Sequence, residues 1–154
     1  MKKYLIILFL FLSLTSNVSA ETKRIIVGNQ DAKITIIAYE SLTCNHCANF
    51  HEEVYPKLKK DYIDTGLAKI EFRHFPLDLA ALNAAKISQC KNNQSLKILE
   101  SLYSNQQTWV KGNTIEEVNE SLKKFIQNEG FKIDFEKCIQ NKEIEDFVLN
   151  DRIE

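Results

Sequence analysis

The chain has 154 residues, 44% of them hydrophobic, with only 4 Gly and 2 Pro, a composition that fits about one globular domain and excludes disordered, collagen-like and low-complexity readings. With 20 basic against 21 acidic side chains the net charge is −1, which lacks the positive footprint of a nucleic-acid binder. Four Cys are too few for a scaffold held together mainly by disulfides.

Residues 1–20 read as a signal peptide. Met1-Lys2-Lys3 is a basic start, Leu5 to Leu12 is an uninterrupted apolar run, and Val18-Ser19-Ala20 places small residues where a signal peptidase reads them. The run is about half of the ~20 residues that span a bilayer, which disfavours a membrane anchor. Cleavage near Ala20 would leave 18 basic against 21 acidic side chains, a net charge of −3. Export places the chain in an oxidising compartment, where Cys44, Cys47, Cys90 and Cys138 are expected as two pairs. Three pairings are open at this point.

Arg24 to Val27 predicts a short edge strand and Gly28 to Asp31 a turn. Lys33 to Tyr39, with the β-branched run Ile34-Thr35-Ile36-Ile37, predicts a strand buried on both faces. From Cys44 the period becomes helical, with Cys47, Phe50, Val54 and Leu58 on one face and Glu52, Glu53, Lys57 and Lys60 on the other. Pro56 removes the bond to the Glu52 carbonyl and predicts a kink, and Gly66 supplies the stop. Ala68 to Phe75 alternates, with Ile70, Phe72 and His74 on one side, and reads as a second strand ending at Pro76. Strand, helix, strand makes a right-handed βαβ unit with parallel strands.

Beyond Pro76 every signal is helical. Asp78 caps a small-residue helix through Ala81, Ala84, Ala85 and Ser88, and Leu96, Leu99 and Tyr103 mark another. Thr114 and Glu117 form a capping box ahead of Ile115, Val118, Leu122 and Phe125. Asp134 opens a short helix holding Phe135 and Cys138, and Ile144, Phe147 and Val148 pattern the last. Trp109 is expected in the core, His51 on a helix surface and His74 in a strand.

Cys44-Asn45-His46-Cys47 lies where a buried strand turns into a helix. The first thiol would cap the helix, where unpaired N–H groups and the macrodipole favour a thiolate, and a donating or protonated His46 would add to this. Cys44 is therefore expected to ionise well below the ~8.5 of a free thiol, with Cys47, one turn along, as the resolving partner. A zinc site using His46, His51 or His74 is the competing reading, but structural zinc wants four ligands and no second pair of suitable spacing is present. A purely structural bridge across so short a loop would contribute little.

Gly28-Asn29-Gln30-Asp31-Ala32, Tyr39, Leu42-Thr43, the Cys pair, Phe50 to Pro56 and Phe72-Arg73-His74-Phe75-Pro76-Leu77 occur in an order and spacing that resembles the DsbA-like thiol:disulfide oxidoreductases, a branch of the thioredoxin superfamily. The resemblance implies an α/β fold with a thioredoxin-like βαβ half over 21–76 and an inserted helical domain over 77–154. It also implies Cys44, Cys47 and His46 as catalytic residues with Asn45 as the motif linker, and no metal or cofactor. Exported protein thiols would be the substrates, in the periplasm or an equivalent compartment, and a membrane redox partner would restore the disulfide. Cys90 and Cys138, like similar pairs in some relatives' helical regions, are expected as a second, structural disulfide.

Three departures stand out. Asn45 occupies the position where Pro is common, Ala38 stands where the family often has a buried acid, with Glu40 the nearest carboxylate, and neither Pro56 nor Pro76 is placed to form the family's cis-proline loop. The C-terminal ββα part is therefore expected to be missing, leaving the edge of the Lys33 to Tyr39 strand unpaired. The alternative to an enzyme is a truncated, non-catalytic remnant or interaction module.

Overall fold

The computed structural model describes residues 22–153, so the predicted signal peptide lies outside the described residues. Three strands form the sheet among these residues: β1 (Ile25–Gly28), β2 (Ile34–Glu40) and β3 (Ala68–His74). Their order is β1-β3-β2, with β3 antiparallel to β1 and parallel to β2. Ile36 pairs with Ile70 and Glu40 with His74, so the C-terminal ends of the parallel strands lie side by side below the Cys44 turn. Gly28 ends β1 at φ 111°, and a Cβ there would lie 2.8 Å from Ile63 Cγ2, so both backbone and space call for glycine.

The alternation read in β3 is real: Ala68, Ile70, Phe72 and His74 are all buried. β2 differs from expectation. Ile36 and Ala38 pack on the core, but Ile34, Ile37 and Tyr39 are exposed, because helices cover only one face. On the open face Arg73 donates to the Tyr39 hydroxyl at 2.9 Å, lies over its ring, and pairs with Glu71 at 2.7 Å. β2 has one strand neighbour among the described residues, so an apolar edge remains open.

The crossover begins with α1 (Asn45–Asn49) and runs through a π-helical turn (Phe50–Val54), α2 (Tyr55–Leu58) and a second π-helical turn (Lys59–Ile63). Pro56 sits in the first turn of α2, and the wide turns on either side absorb its missing N–H. A π turn adds a residue to the repeat and rotates the next stretch of helix, so the inward face moves from the expected Val54, which is exposed, to Tyr55, which is buried.

The remaining helices are α3 (Leu79–Gln89), α4 (Ser95–Ser104), α5 (Gln106–Trp109), α6 (Ile115–Asn128), α7 (Phe135–Gln140) and α8 (Lys142–Ile153). Asp78, Thr114 and Asp134 cap α3, α6 and α7 through Ala81, Glu117 and Lys137 N–H groups. The Glu117 carboxylate reaches the Asn113 N–H, one residue earlier than the reciprocal bond of a standard capping box. Helix α8 returns to the sheet, where Asp151 accepts from the His74 N–H at 3.2 Å and from Arg24 at 3.2 Å. One core runs from Ile70 and Phe72 through Leu99 and Trp109 to Leu122 and Val148. Cys90, at the end of α3, and Cys138, in α7, are joined as a disulfide with Cα atoms 5.7 Å apart.

Candidate active site

β2 stops at Glu40, and the segment Ser41–Thr43 delivers Cys44 to the first position of the crossover helix. This short loop is tied down from three sides. Thr43 donates to Asp78 at 2.8 Å, the Leu77 N–H donates to the Ser41 hydroxyl at 3.4 Å, and the Gln106 amide donates to the carbonyls of Leu42 at 2.8 Å and Cys44 at 3.2 Å. The Cys44 carbonyl also receives the N–H groups of Cys47 and Ala48, both at 3.1 Å, so the helix starts on the cysteine itself.

The two thiols are unpaired and lie in unlike surroundings. Burial works to raise Cys44, and hydrogen bonds onto its sulfur from the Cys47 N–H, the Cys47 thiol and the His46 N–H outweigh it, leaving the group below its ordinary value. Cys47 is more deeply enclosed, and burial together with the Cys44 sulfur and the Glu40 charge pushes it up to about 11 despite a backbone hydrogen bond at Ser41. Cys44 is thus the sulfur that ionises first. The His46 donor is the main chain, whereas the sequence pointed to the imidazole; the side chains of Asn45 and His46 are exposed.

Beside Cys47 a cavity of about 250 Å³ is lined by Ala38, Tyr39, Glu40, His46, Cys47 and Phe50. Glu40 is buried, as the last residue of β2, with its two carboxylate oxygens 3.0 and 2.9 Å from His51 Nε2. Burial raises its pKa, and the His51 hydrogen bond and charge pull it back only in part. The His51 side chain is 5% exposed and its ring stacks on Tyr103 with centroids 4.1 Å apart, which corrects the expected helix-surface position. The π-helical turn brings it inward. The Tyr103 hydroxyl faces the same carboxylate but falls short of hydrogen-bonding geometry, and burial and the nearby Glu40 charge hold it strongly against ionising.

Sequence reasoning left Glu40 without a role and missed the His51, Tyr103 and Gln106 contributions. A signal for one of them exists: His51 comes four residues after Cys47 on the same helix, which puts the two on one face. Among the described residues no group of three or more His, Cys, Asp or Glu side chains is placed to hold a metal ion.

A three-stranded sheet edge feeding a Cys-x-x-Cys helix start, with a helical layer closing over it, defines a dithiol protein of the thioredoxin-like class. A family model described as thioredoxin matches residues 20–154, and the chain belongs to that family. It is similar to Wolbachia pipientis α-DsbA1, with 35% sequence identity and a TM-score of 0.74 over 85% of this chain and 66% of the other. The oxidised BdbD of Bacillus subtilis shares the fold at a TM-score of 0.59 and 21% identity, over 84% of this chain and 70% of that one. A Rickettsia bellii (strain RML369-C) protein, assigned by name as a protein-disulfide oxidoreductase, is 33% identical over 95 residues, 60% of this chain. That match spans 37% of the relative's own length.

Proposed function

We propose that the chain is an exported thiol:disulfide oxidoreductase that introduces or exchanges disulfides in secreted or periplasmic polypeptides through Cys44 and Cys47. The observation that carries this reading is the opposed tuning of the two thiols, Cys44 lowered and Cys47 raised to about 11. Names and folds of the similar proteins support it. Residues 21–76 supply the dithiol in this reading, and the helices of 77–154 close over it.

Starting from a Cys44–Cys47 disulfide, a substrate thiolate attacks the Cys44 sulfur. The bond between the two cysteines breaks and its electron pair goes to Cys47. A sulfur with so high an affinity for its proton leaves poorly as a bare thiolate. Glu40, buried beside it and shifted toward its protonated form, donates the proton, leaving a Cys47 thiol and a Glu40 carboxylate. A second substrate thiolate then attacks the substrate sulfur of the mixed disulfide, and Cys44 departs as a thiolate held by the helix-start N–H groups. The substrate has lost two electrons and the chain has gained them. A membrane redox partner of higher potential takes them and restores the disulfide.

The test is oxidation of a reduced, unfolded ribonuclease by the pre-oxidised chain. Stoichiometric transfer of disulfides, absent in Cys44→Ser, is the expected result. A wild-type rate no faster than that of glutathione disulfide alone would overturn the reading. It would leave the non-catalytic interaction module, for which the exposed Ile34, Ile37 and Tyr39 face of β2 would be the contact surface.

A further inference from the structure

His51 holds Glu40 through Nε2, but its other ring nitrogen, Nδ1, is buried without a protein partner. So is the Tyr55 hydroxyl. A buried polar atom left unpaired is expensive unless water reaches it. Water has a place to be: His51 and Tyr55, with Pro56, Lys59, Glu100 and Ser104, line a second cavity of about 320 Å³, large enough for several molecules. This cavity shares no lining residue with the one that holds Cys47 and Glu40. The Glu40–His51 hydrogen bond therefore runs from one solvent-reachable space to the other, packed among the rings of Tyr103, stacked at 4.1 Å, Phe72 at 5.2 Å and Phe50 at 5.6 Å.

We propose that His51 is the positioning residue that recharges Glu40, carrying protons between the buried carboxylate and the cavity of Tyr55, Lys59 and Glu100. The inference rests on the reading of Cys44 and Cys47 as a redox pair. When the disulfide opens, Glu40 gives its proton to the Cys47 sulfur. A proton from bulk solvent, passed on by the cavity water, then adds at Nδ1, and the Nε2 proton passes to the Glu40 carboxylate, which returns the acid to its starting form and leaves the ring proton on the other nitrogen. When the dithiol closes, the same path runs backwards. The geometry needs a ring with two exchangeable nitrogens, which glutamine, lysine or arginine at this position would not supply. Charged and titratable groups face the ring from the packed elements: Glu40 from β2, Tyr103 and Glu100 from α4, and Tyr55 and Lys59 from its own helical segment.

The experiment monitors oxidation of the reduced full-length chain by 2-hydroxyethyl disulfide in stopped flow, across pH, in wild type and His51→Gln, the direction in which His51 must unload Glu40 before the carboxylate can take the Cys47 proton. Glutamine keeps a donor to Glu40 and cannot titrate. We expect the variant to react about a hundredfold more slowly near neutrality, the low end of what a general acid or base contributes. Its rate should rise with added imidazole buffer, a response that a merely structural role would not produce. A folded His51→Gln chain with the wild-type rate, or with a slow rate indifferent to imidazole, overturns the proposal. Should the variant fail to fold, nitrogen-15 shifts of the His51 ring in the wild-type chain decide. A ring that carries its proton on Nε2 in the disulfide form and on Nδ1 in the dithiol form supports the path, and the same nitrogen protonated in both forms overturns it. Neither readout depends on the chain oxidising another polypeptide, so failure of the proposed activity and failure of this path are seen separately.

Discussion

Cys44 and Cys47 stand three residues apart at a helix start, unpaired and partly open, with main-chain donors on one sulfur and a buried carboxylate near the other. Cys90 and Cys138 stand 48 residues apart, joined, at the end of one helix and inside another, with Cys138 2% exposed. The difference lies in what surrounds each sulfur. A short loop closed by a disulfide confers little chain-entropy stabilisation, so the first pair is free to trade its bond, and hydrogen bonds and burial decide which sulfur is charged. A long loop makes the second bond a constraint on the unfolded chain.

The largest expected effect breaks the first pair. Cys44→Ser should reduce thiol exchange to the uncatalysed background, while Cys47→Ser should accumulate a mixed disulfide visible as a mass adduct. In Cys47→Ser the thiolate absorbance near 240 nm should titrate below ~8.5, the free-thiol value. A midpoint at or above that value would erase the asymmetry on which the comparison rests.

Breaking the second pair should act on stability alone. The chain-entropy relation gives a loop of this length about 4 kcal/mol, so Cys90→Ala with Cys138→Ala should lower the urea midpoint correspondingly. The reduction potential of Cys44–Cys47 should stay within about 30 mV of wild type, the equivalent of roughly 1.4 kcal/mol for this couple. A larger shift would mean that the two pairs are coupled and that the second is more than a staple.

Next in size is a pH effect beside the staple. His74, on β3, meets the amide of Gln89, the residue before Cys90, at 2.9 Å, and burial lowers its pKa from 6.5 to about 4. The folded state holds the neutral ring, so the unfolded chain binds the extra proton. Stability is full above 6.5 and falls as pH drops from there toward 4, by about 3 kcal/mol from this group. His74→Gln should flatten that part of the profile of unfolding free energy against pH, and an unchanged slope would assign it to other groups.

Local rules read the fold well where they were strong. The period-2 pattern of β3, the caps at Asp78, Thr114 and Asp134, and the cysteine spacing all marked their places in the sequence. Two features were hidden for physical reasons. The π turns on either side of Pro56 rotate the helix and exchange Val54 for Tyr55 as the inward residue, and they sink His51 against Tyr103. A 3.6-residue period cannot show this. The Glu40 site joins β2, the crossover helix and α4, and Gln106 reaches from α5 to Leu42, so both depend on long-range packing with no local signature.

The smallest effect concerns the contact that links the two regions. Asp78 caps α3, the helix that leads to Cys90, by accepting from the Ala81 N–H at 2.7 Å, and its other oxygen accepts from the Thr43 hydroxyl at 2.8 Å, one residue before Cys44. One carboxylate thus anchors the start of the staple's helix and the loop that aims the reactive sulfur. Asp78→Ala removes both bonds, and loss of the cap should cost about 1 kcal/mol in urea unfolding. Asp78→Asn keeps an acceptor for the Ala81 N–H and offers its amide N–H to the Thr43 hydroxyl, which can accept, so it should recover most of that loss. If Thr43 merely rests on Asp78, exchange at Cys44 will be the same in both variants. If the contact helps to aim the sulfur, Asp78→Ala will slow exchange and Asp78→Asn will restore it alongside stability. Exchange rates measured below the unfolding transition, on chains with the Cys90–Cys138 bond intact, separate these outcomes because the staple then keeps α3 in place and leaves only the Thr43 contact to differ.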